Sequence, residues 1–204
     1  MTLKSNLNLK LVYLSGSNSI LPKSKIKETE NSMNIASSQL IFNKLTYNDF
    51  TLYAQLIMNQ DVMKYITGHA LTEEKTKLRF QKVVDTNKTI DDAGFFIVRK
   101  KDDNDFIGIV KLVQITNEQY EVGYMLLPEF WGKGYASEMV ECMISLARKK
   151  QINEIIGIVD PENPASIKVL SKFGFQLYET GKLDGLEAAF YKLELNNSIN
   201  NDLR

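Results

Sequence analysis

The sequence predicts a single α/β domain, because it contains a buried strand, a glycine-rich turn and an amphipathic helix in direct succession. Residues 122–127 form an apolar run with one glycine, as expected for a strand that is covered on both faces. Pro128 ends the strand, since proline has no N–H group for a sheet hydrogen bond. Apolar residues then recur with helical spacing at Ala136, Met139, Val140, Met143, Ile144 and Ala147. With 204 residues, of which 44% are hydrophobic, the chain can build one substantial core.

The turn between this strand and this helix is predicted to bind an anion. Gly132 and Gly134 allow a tight backbone turn and a close approach to a ligand. Unpaired N–H groups at the helix start point into the turn, where the helix dipole favours a phosphate or a pyrophosphate. A Rossmann loop would need a third glycine where the chain has Ser137. A Walker loop would need serine or threonine directly after Lys133, so neither nucleotide loop fits.

A second motif follows the long helix. Residues 155–159 form a short apolar strand. Asn163 is a good N-cap and Pro164 a good first helical residue, so a further helix is predicted from this point. Gly174 is typical of a helix C-terminus, and Phe175 begins a further predicted strand. The order of strand, turn and helix therefore occurs twice.

Both motifs resemble those of a known superfamily. Residues 131–136, Trp-Gly-Lys-Gly-Tyr-Ala, resemble the acyl-CoA pyrophosphate loop of the GNAT superfamily of N-acetyltransferases, with Trp131 in place of the usual glutamine or arginine. Residues 163–175 are similar to a second block of that superfamily, and the resemblance covers about residues 39–195. It implies the α/β (α+β) GNAT fold: a single mixed, mostly antiparallel central sheet of about six to seven strands, flanked by helices and splayed at the acyl-CoA site.

The elements that precede the turn follow from the same resemblance and from local patterns. Residues 40–45 look like the first strand, and residues 47–58 like the helix that follows it. Thr72 begins a second helix. Residues 95–99 and 106–112 are apolar or alternating and are separated by a polar turn, which predicts a hairpin.

One branch of the superfamily is closest in pattern. Residues 59–66 are similar to a signature of the RimJ/RimL-like branch, which acetylates the N-terminal amine of ribosomal proteins, and residues 121–138 look like the same branch. The resemblance implies an acetyl-CoA-dependent N-acetyltransferase in which a primary amine attacks the thioester directly in a ternary complex. A protein N-terminal amine is the acceptor expected from the branch. A small-molecule amine (an antibiotic or a polyamine) and a catalytically idle acyl-CoA-binding module stay open as alternatives.

The resemblance also assigns the residues that bind the co-substrate acetyl-CoA. The backbone of Met125, Leu126 and Leu127 is expected to pair with the pantetheine arm like an added strand, with an N–H group near Leu126 polarising the thioester carbonyl. The amide of Asn163 is expected to touch the same arm. The pyrophosphate is expected to bind to the loop and helix start formed by Trp131, Gly132, Lys133, Gly134, Tyr135, Ala136 and Ser137.

The catalytic assignments each have a plain structural alternative. Glu121 is the candidate general base, and its alternative is a carboxylate bonded to neighbouring backbone. Ser166 is the candidate acid for the departing thiolate, and its alternative is a helix-start serine that bonds to its own backbone. Leu170 stands where many family members have a tyrosine, so that acid cannot be carried over. His69 and Tyr191 are candidates for the acceptor pocket, with ordinary surface or core roles as alternatives.

Composition excludes several other functions. The chain has 25 basic and 25 acidic residues, so no net charge attracts nucleic acid or an anionic membrane, and no apolar run reaches transmembrane length. A single histidine and a single cysteine argue against a His/Cys metal site. Because the lone Cys142 cannot form an internal disulfide, we expect a cytoplasmic protein. We expect a flexible extension over residues 1–38, the acetyltransferase domain over residues 39–195 and a polar tail over residues 196–204. Oligomeric state is left open, a homodimer included.

Overall fold

A computed structural model describes residues 37–116 and 119–195 of the chain. The predicted polar tail lies outside the described residues, as does the predicted extension apart from Ser37 and Ser38. The strands are β1 (Leu40–Lys44), β2 (Gly94–Lys100), β3 (Phe106–Gln114), β4 (Tyr120–Leu126), β5 (Glu154–Val159), β6 (Gln176–Leu183) and β7 (Leu186–Glu194). The α-helices are α1 (Phe50–Ile57), α2 (Gln60–Met63), α3 (Glu73–Thr89), α4 (Tyr135–Lys149) and α5 (Pro164–Lys172).

The seven strands form one open sheet in the order β1-β2-β3-β4-β5-β7-β6. Every neighbouring pair is antiparallel except β4 and β5, which run parallel. The prediction of a mixed, mostly antiparallel sheet of six to seven strands flanked by helices is therefore confirmed. The parallel pair lies in the middle of the sheet, and α4 provides the crossover between its two strands.

The core consists of two apolar clusters, one on each face of the sheet. The first cluster packs α4 and the buried residue of α5, Leu170, against alternate residues of the strands, such as Val122 and Leu126. The second cluster packs α1, α2 and α3 against the opposite side chains, such as Ile109 and Val113. Because side chains alternate along a strand, residues of β4 with even numbers belong to the first face and those with odd numbers to the second.

The helix predicted over residues 47–58 is present in the structure, and its first turn is a 3-10 turn. A 3-10 turn at Tyr47–Asp49 leads into α1, which ends at Ile57. Asn59 then caps the separate helix α2, because its side-chain oxygen accepts hydrogen bonds from the N–H groups of Asp61 and Val62 (2.9 and 3.2 Å). Helix α2 was not predicted, since residues 59–66 were matched only to a branch signature.

The hairpin of β6 and β7 closes through two residues with positive φ. Asp184 has φ 52° and Gly185 has φ 86°, as expected for a two-residue turn that matches the twist of the strands. Strand β6 forms one edge of the sheet, and most of its side chains are exposed. Gly185 therefore has a backbone conformation that a residue with a Cβ would adopt only with strain, and it lies in the turn of the edge hairpin.

Candidate active site

The sheet opens between β4 and β5. The two strands pair only from Tyr120 with Ile155 to Val122 with Gly157, although β4 continues to Leu126 and β5 continues through the next two residues. Beyond Val122 the two strands no longer pair with each other. This gap is a place where an extended ligand could form hydrogen bonds with exposed strand backbone.

Backbone direction decides which groups of β4 face the gap. The N–H of Leu127 donates to the carbonyl of Ile107 (3.0 Å), so that residue continues the ladder with β3. Because backbone groups in an antiparallel ladder alternate between the two sides, Met125 also faces β3. The N–H and carbonyl groups of Tyr124 and Leu126 are the ones that face the gap. Of the three residues expected to pair with pantetheine, Leu126 has the suitable direction.

The glycine loop begins directly after the gap. Gly132 and Gly134 have φ of 73° and 89°, which L side chains rarely adopt, so the glycines are needed for backbone conformation. A Cβ atom added at either position would meet nothing within 4 Å. The half-exposed Trp131 ties the loop to β4, because its indole N–H donates to the carbonyl of Leu126 (2.9 Å). The loop therefore has open space above it and a fixed connection to the gap.

Helix α4 starts in this loop without a capping side chain. Its N-cap, Gly134, offers none, whereas Thr72 caps α3 and Asn163 caps α5 with side-chain oxygens. The N–H groups of residues 135–137 at the first turn of α4 are thus left for another partner, and the exposed Lys133 precedes them. An uncapped helix start beside a basic side chain suits a phosphate group.

The first turn of α4 is anchored to the start of β1 through Glu138. Its carboxylate accepts hydrogen bonds from the Ser38 hydroxyl (3.0 Å), the Gln39 N–H (2.8 Å) and the Gln39 side chain (3.0 Å), and also from the Ser37 hydroxyl. Burial alone would raise the pKa of Glu138, but the hydrogen bonds from Ser37, Gln39 and Ser38 hold that pKa below its ordinary value. The first turn of the helix that carries the loop is therefore held against the start of β1.

Helix α5 brings Ser166 to the other side of the gap. The side-chain oxygen of Asn163 accepts a hydrogen bond from the Ser166 N–H (3.1 Å), which confirms the predicted cap. Leu170 packs tightly on β5, since a Cβ atom at Gly157 would lie 2.8 Å from its side chain. Ser166 is one helical turn before Leu170 and on the same helix face. It therefore lies beyond Gly157, at the level where β4 and β5 have separated.

Tyr124 was not among the site residues predicted from the sequence. It lies on β4 just beyond Val122, where β4 and β5 have separated. Its ring packs against the first core cluster, and its hydroxyl oxygen is fully enclosed. Burial raises the pKa of Tyr124, and an interaction with the Ser166 hydroxyl opposes that increase. The sequence does contain one indication of it: a tyrosine at 124 alternates with the apolar residues Val122 and Leu126, so its hydroxyl group is expected among apolar side chains.

Glu121 is buried on the opposite face and forms an ion pair with Lys111. Their side-chain atoms Oε1 and Nζ are 2.6 Å apart, and the two residues are only 4% and 7% exposed. The Lys111 side chain lies across Gly123, where an added Cβ would come within 2.7 Å of it. The pair gives Glu121 a structural partner on β3, in agreement with the alternative that the sequence left open, and its role as a base stays a prediction.

The two candidates for the acceptor pocket lie on different faces of the sheet. His69 is exposed in the loop between α2 and α3, where its neighbours Ile66 and Leu71 pack against the second cluster. Tyr191 is half-buried on β7, pairs with Gly157 and packs against the first cluster. The structure does not bring these two side chains together.

Other types of site find no support in the described part of the chain. Residues 37–116 and 119–195 contain no group of three or more histidine, cysteine or acidic side chains that could hold a metal ion. Over the same residues, no helix is long and apolar enough to cross a membrane. Cys142 is buried, and burial raises the pKa of its thiol to about 11, so it is not a reactive nucleophile.

Comparison with known proteins decides the family. Residues 39–176 match the family model described as an acetyltransferase (GNAT) domain. The chain belongs to the GNAT family of acetyltransferases. A relative from Bacillus subtilis, the uncharacterized N-acetyltransferase YnaD, is 30% identical over 146 residues, which cover 71% of this chain and 83% of the relative. The protein is therefore an acyltransferase, an acetyl-CoA-dependent N-acetyltransferase.

Solved structures share the fold of this GNAT protein. An acetyltransferase (GNAT family) from Bacillus anthracis superposes with a TM-score of 0.67 at 23% identity, over 78% of this chain and 96% of that one. Spermidine N-acetyltransferase from Vibrio cholerae, solved with CoA and spermine, gives 0.64 at 18%, over 76% and 95%. Ribosomal-protein-S5-alanine acetyltransferase from Vibrio fischeri gives 0.63 at 21%, over 78% and 95%.

Proposed function

We propose that this GNAT protein transfers the acetyl group of acetyl-CoA to the N-terminal amine of a protein, with the thioester held in the gap between β4 and β5. The observation that carries the proposal is the separation of these strands beyond Val122 and Gly157, directly beside an uncapped helix start. The gap suits an extended amide-containing arm, and the helix start suits a pyrophosphate.

In this proposal the backbone does most of the binding. The Tyr124 backbone groups pair with the pantetheine arm, and the Leu126 N–H is left for the thioester. The side-chain amide of Asn163 also donates to the arm, because its oxygen is already used by the helix cap. The N–H groups of residues 132–137 hold the pyrophosphate, with Lys133 adding positive charge. Trp131 keeps the loop in register with β4 through its bond to Leu126.

The chemistry needs an amine lone pair and a stabilised leaving thiolate. We assign the proton of the amine to Glu121, directly or through water, and stabilisation of the thiolate to Ser166. A Leu126 N–H polarises the thioester carbonyl as negative charge develops on its oxygen. Glu121 lies on the second face of the sheet, whereas Ser166 is on α5, which packs on the first face. The amine proton therefore leaves on one face of the sheet, and the sulfur departs on the other.

The acceptor is the least constrained part of the proposal. A protein N-terminal amine is favoured by the RimJ/RimL-like sequence pattern of residues 59–66, and the S5-alanine enzyme with the same fold has a ribosomal protein as its substrate by name. The spermidine enzyme has a small polyamine substrate by name and the same fold. Release of free CoA thiol should therefore be measured with acetyl-CoA and a panel of short peptides, polyamines and aminoglycosides. We expect turnover with peptides that have a free N-terminus and none with N-acetylated peptides, whereas turnover with polyamines alone would reject the protein acceptor.

The role of Glu121 requires a design that separates catalysis from folding. Glu121→Gln is expected to lower the rate by about 100-fold or more, with partial recovery at higher pH, as for a lost general base. Because this change also leaves Lys111 buried without its carboxylate, the double variant Glu121→Gln/Lys111→Met is needed to restore stability. A stable double variant that stays slow supports the base. A double variant that regains the wild-type rate would assign Glu121 a structural role. The control is Glu154→Gln, which removes a carboxylate from another ion pair, the one with Lys192, and should leave the rate unchanged.

A further inference from the structure

The hydroxyl group of Tyr124 is placed where a purely structural side chain would be apolar. It lies on the same face of β4 as Val122 and Leu126, and its oxygen is fully enclosed. In the described part of the chain, no donor or acceptor meets ordinary hydrogen-bond geometry with this oxygen. Burying a hydroxyl without a well-formed partner costs about 1–3 kcal/mol, so phenylalanine would be the more stable choice here.

The polar group that interacts with the Tyr124 hydroxyl is the Ser166 hydroxyl on α5. It opposes the rise that burial causes in the pKa of Tyr124, so the two hydroxyl groups interact although their alignment is loose. Hydrogen bonds of catalytic groups are often loose in the absence of substrate and tighten in the complex. The packing of Leu170 on Gly157 fixes α5 at the point where the strands part, and this keeps Ser166 opposite Tyr124.

We propose that Tyr124 is a positioning residue for the acetyl transfer: its hydroxyl donates a hydrogen bond to Ser166 Oγ and so directs the Ser166 O–H toward the sulfur atom in the gap. The proposal rests on the proposed function. Serine Oγ can accept one hydrogen bond while it donates another, so the two roles are compatible. The high pKa of Tyr124 keeps its hydroxyl neutral, and therefore a donor, across the working pH range.

The step balances without any further reactant. The amine nitrogen bonds to the carbonyl carbon, the carbon–sulfur bond breaks, and its electron pair stays on sulfur. Ser166 donates a hydrogen bond to this sulfur as negative charge develops, and Tyr124 supports the serine oxygen without losing its proton. The amine proton passes to Glu121, directly or through water, and the CoA thiolate takes up one proton from solvent as it leaves, so the overall proton count does not change.

The test compares Tyr124→Phe with Tyr120→Phe as a matched control. Tyr120 is on the same strand and face and also packs against the first cluster, but it precedes the gap. We expect Tyr124→Phe to lower kcat by about 3- to 10-fold, the worth of one neutral hydrogen bond, and to leave the acetyl-CoA Kd within twofold. Tyr120→Phe should retain the wild-type kcat.

A double-mutant cycle with Ser166→Ala separates positioning from an independent effect. If Tyr124 acts through Ser166, the double variant should be no slower than Ser166→Ala alone. Effects that multiply, or a Tyr124→Phe variant with wild-type kcat, would overturn the proposal while leaving acetyl transfer intact. A wild-type protein that releases no CoA thiol with any amine would reject the proposed function itself, and the role of Tyr124 with it.

Discussion

Gly134 offers the sharpest test of the loop, because its role in conformation can be separated from its role in binding. Its φ of 89° is unfavourable for any residue with a Cβ, and a Cβ there would meet no atom within 4 Å. Gly185 has nearly the same φ, 86°, and the same open surroundings, but it lies in the β6–β7 turn. Substitution by valine therefore imposes similar strain at both positions, while only one is in the proposed site.

The expected magnitudes follow from that comparison. A left-handed conformation costs about 1–2 kcal/mol for a residue with a side chain, and more for a β-branched one. For a domain of this size, each kcal/mol lowers Tm by about 2–4 °C, so both Gly134→Val and Gly185→Val should lose several degrees. In Gly134→Val the displaced N–H groups should also lose at least one charge-assisted hydrogen bond to the pyrophosphate. That loss is worth about 1.5–3 kcal/mol, or about 10- to 100-fold in acetyl-CoA affinity.

The assay is thermal unfolding with and without acetyl-CoA, supported by calorimetric titration. At a ligand concentration of 100 times the wild-type Kd, the wild-type protein should gain about 2.7 kcal/mol, and so should Gly185→Val. A Gly134→Val variant with 100-fold weaker binding should gain only about 0.4 kcal/mol under the same conditions. Equal ligand-induced shifts in the two variants would refute the assignment of this loop to the pyrophosphate.

Three further predictions concern stability. Lys111→Met should cost about 3–5 kcal/mol in urea unfolding, because it leaves the Glu121 carboxylate buried without its ammonium partner; a loss under 1 kcal/mol would contradict the buried pair. The folded-state pKa of Glu138 is below its ordinary 4.5, so its contribution is present above that pH and is lost as pH falls through the folded pKa. Glu138→Gln should therefore show a flatter decline of unfolding free energy between pH 5 and 3, and equal slopes would count against the carboxylate anchor. Deletion of residues 1–32 should leave Tm and acetyl-CoA affinity nearly unchanged, since that segment has no strand or helix pattern and the bonds to Glu138 begin at residue 37; a large fall in Tm would disprove this.

The sequence predicted those parts of the fold that depend on local pattern. The glycine loop, the caps Asn163 and Thr72 and the strand bounds follow from residue types at fixed spacing, and the structure has them within a few residues. Helix α2 did not follow, because its four residues are too few to show an apolar period and its start depends on the Asn59 side-chain cap.

Features that depend on strand register could not be predicted. In the sequence, Gly123 is only the one glycine of an apolar strand. In the structure, the Lys111 side chain crosses Gly123 to reach Glu121 and leaves no room for a Cβ atom there. Only the pairing of β3 with β4 places these three residues together. The interaction of Tyr124 with Ser166 likewise depends on the seating of α5 on β5, which no single segment of sequence encodes.

In the proposed complex, acetyl-CoA occupies the gap between β4 and β5, with its pyrophosphate at the start of α4. Hydrogen–deuterium exchange with and without acetyl-CoA measures this directly at the backbone groups concerned. We expect slower exchange at Leu126 and at residues 132–137 when the ligand is present, and unchanged exchange in the β6–β7 turn at Gly185. Ligand binding that leaves residues 124–126 and 132–137 unprotected, with protection elsewhere in the chain, would contradict it.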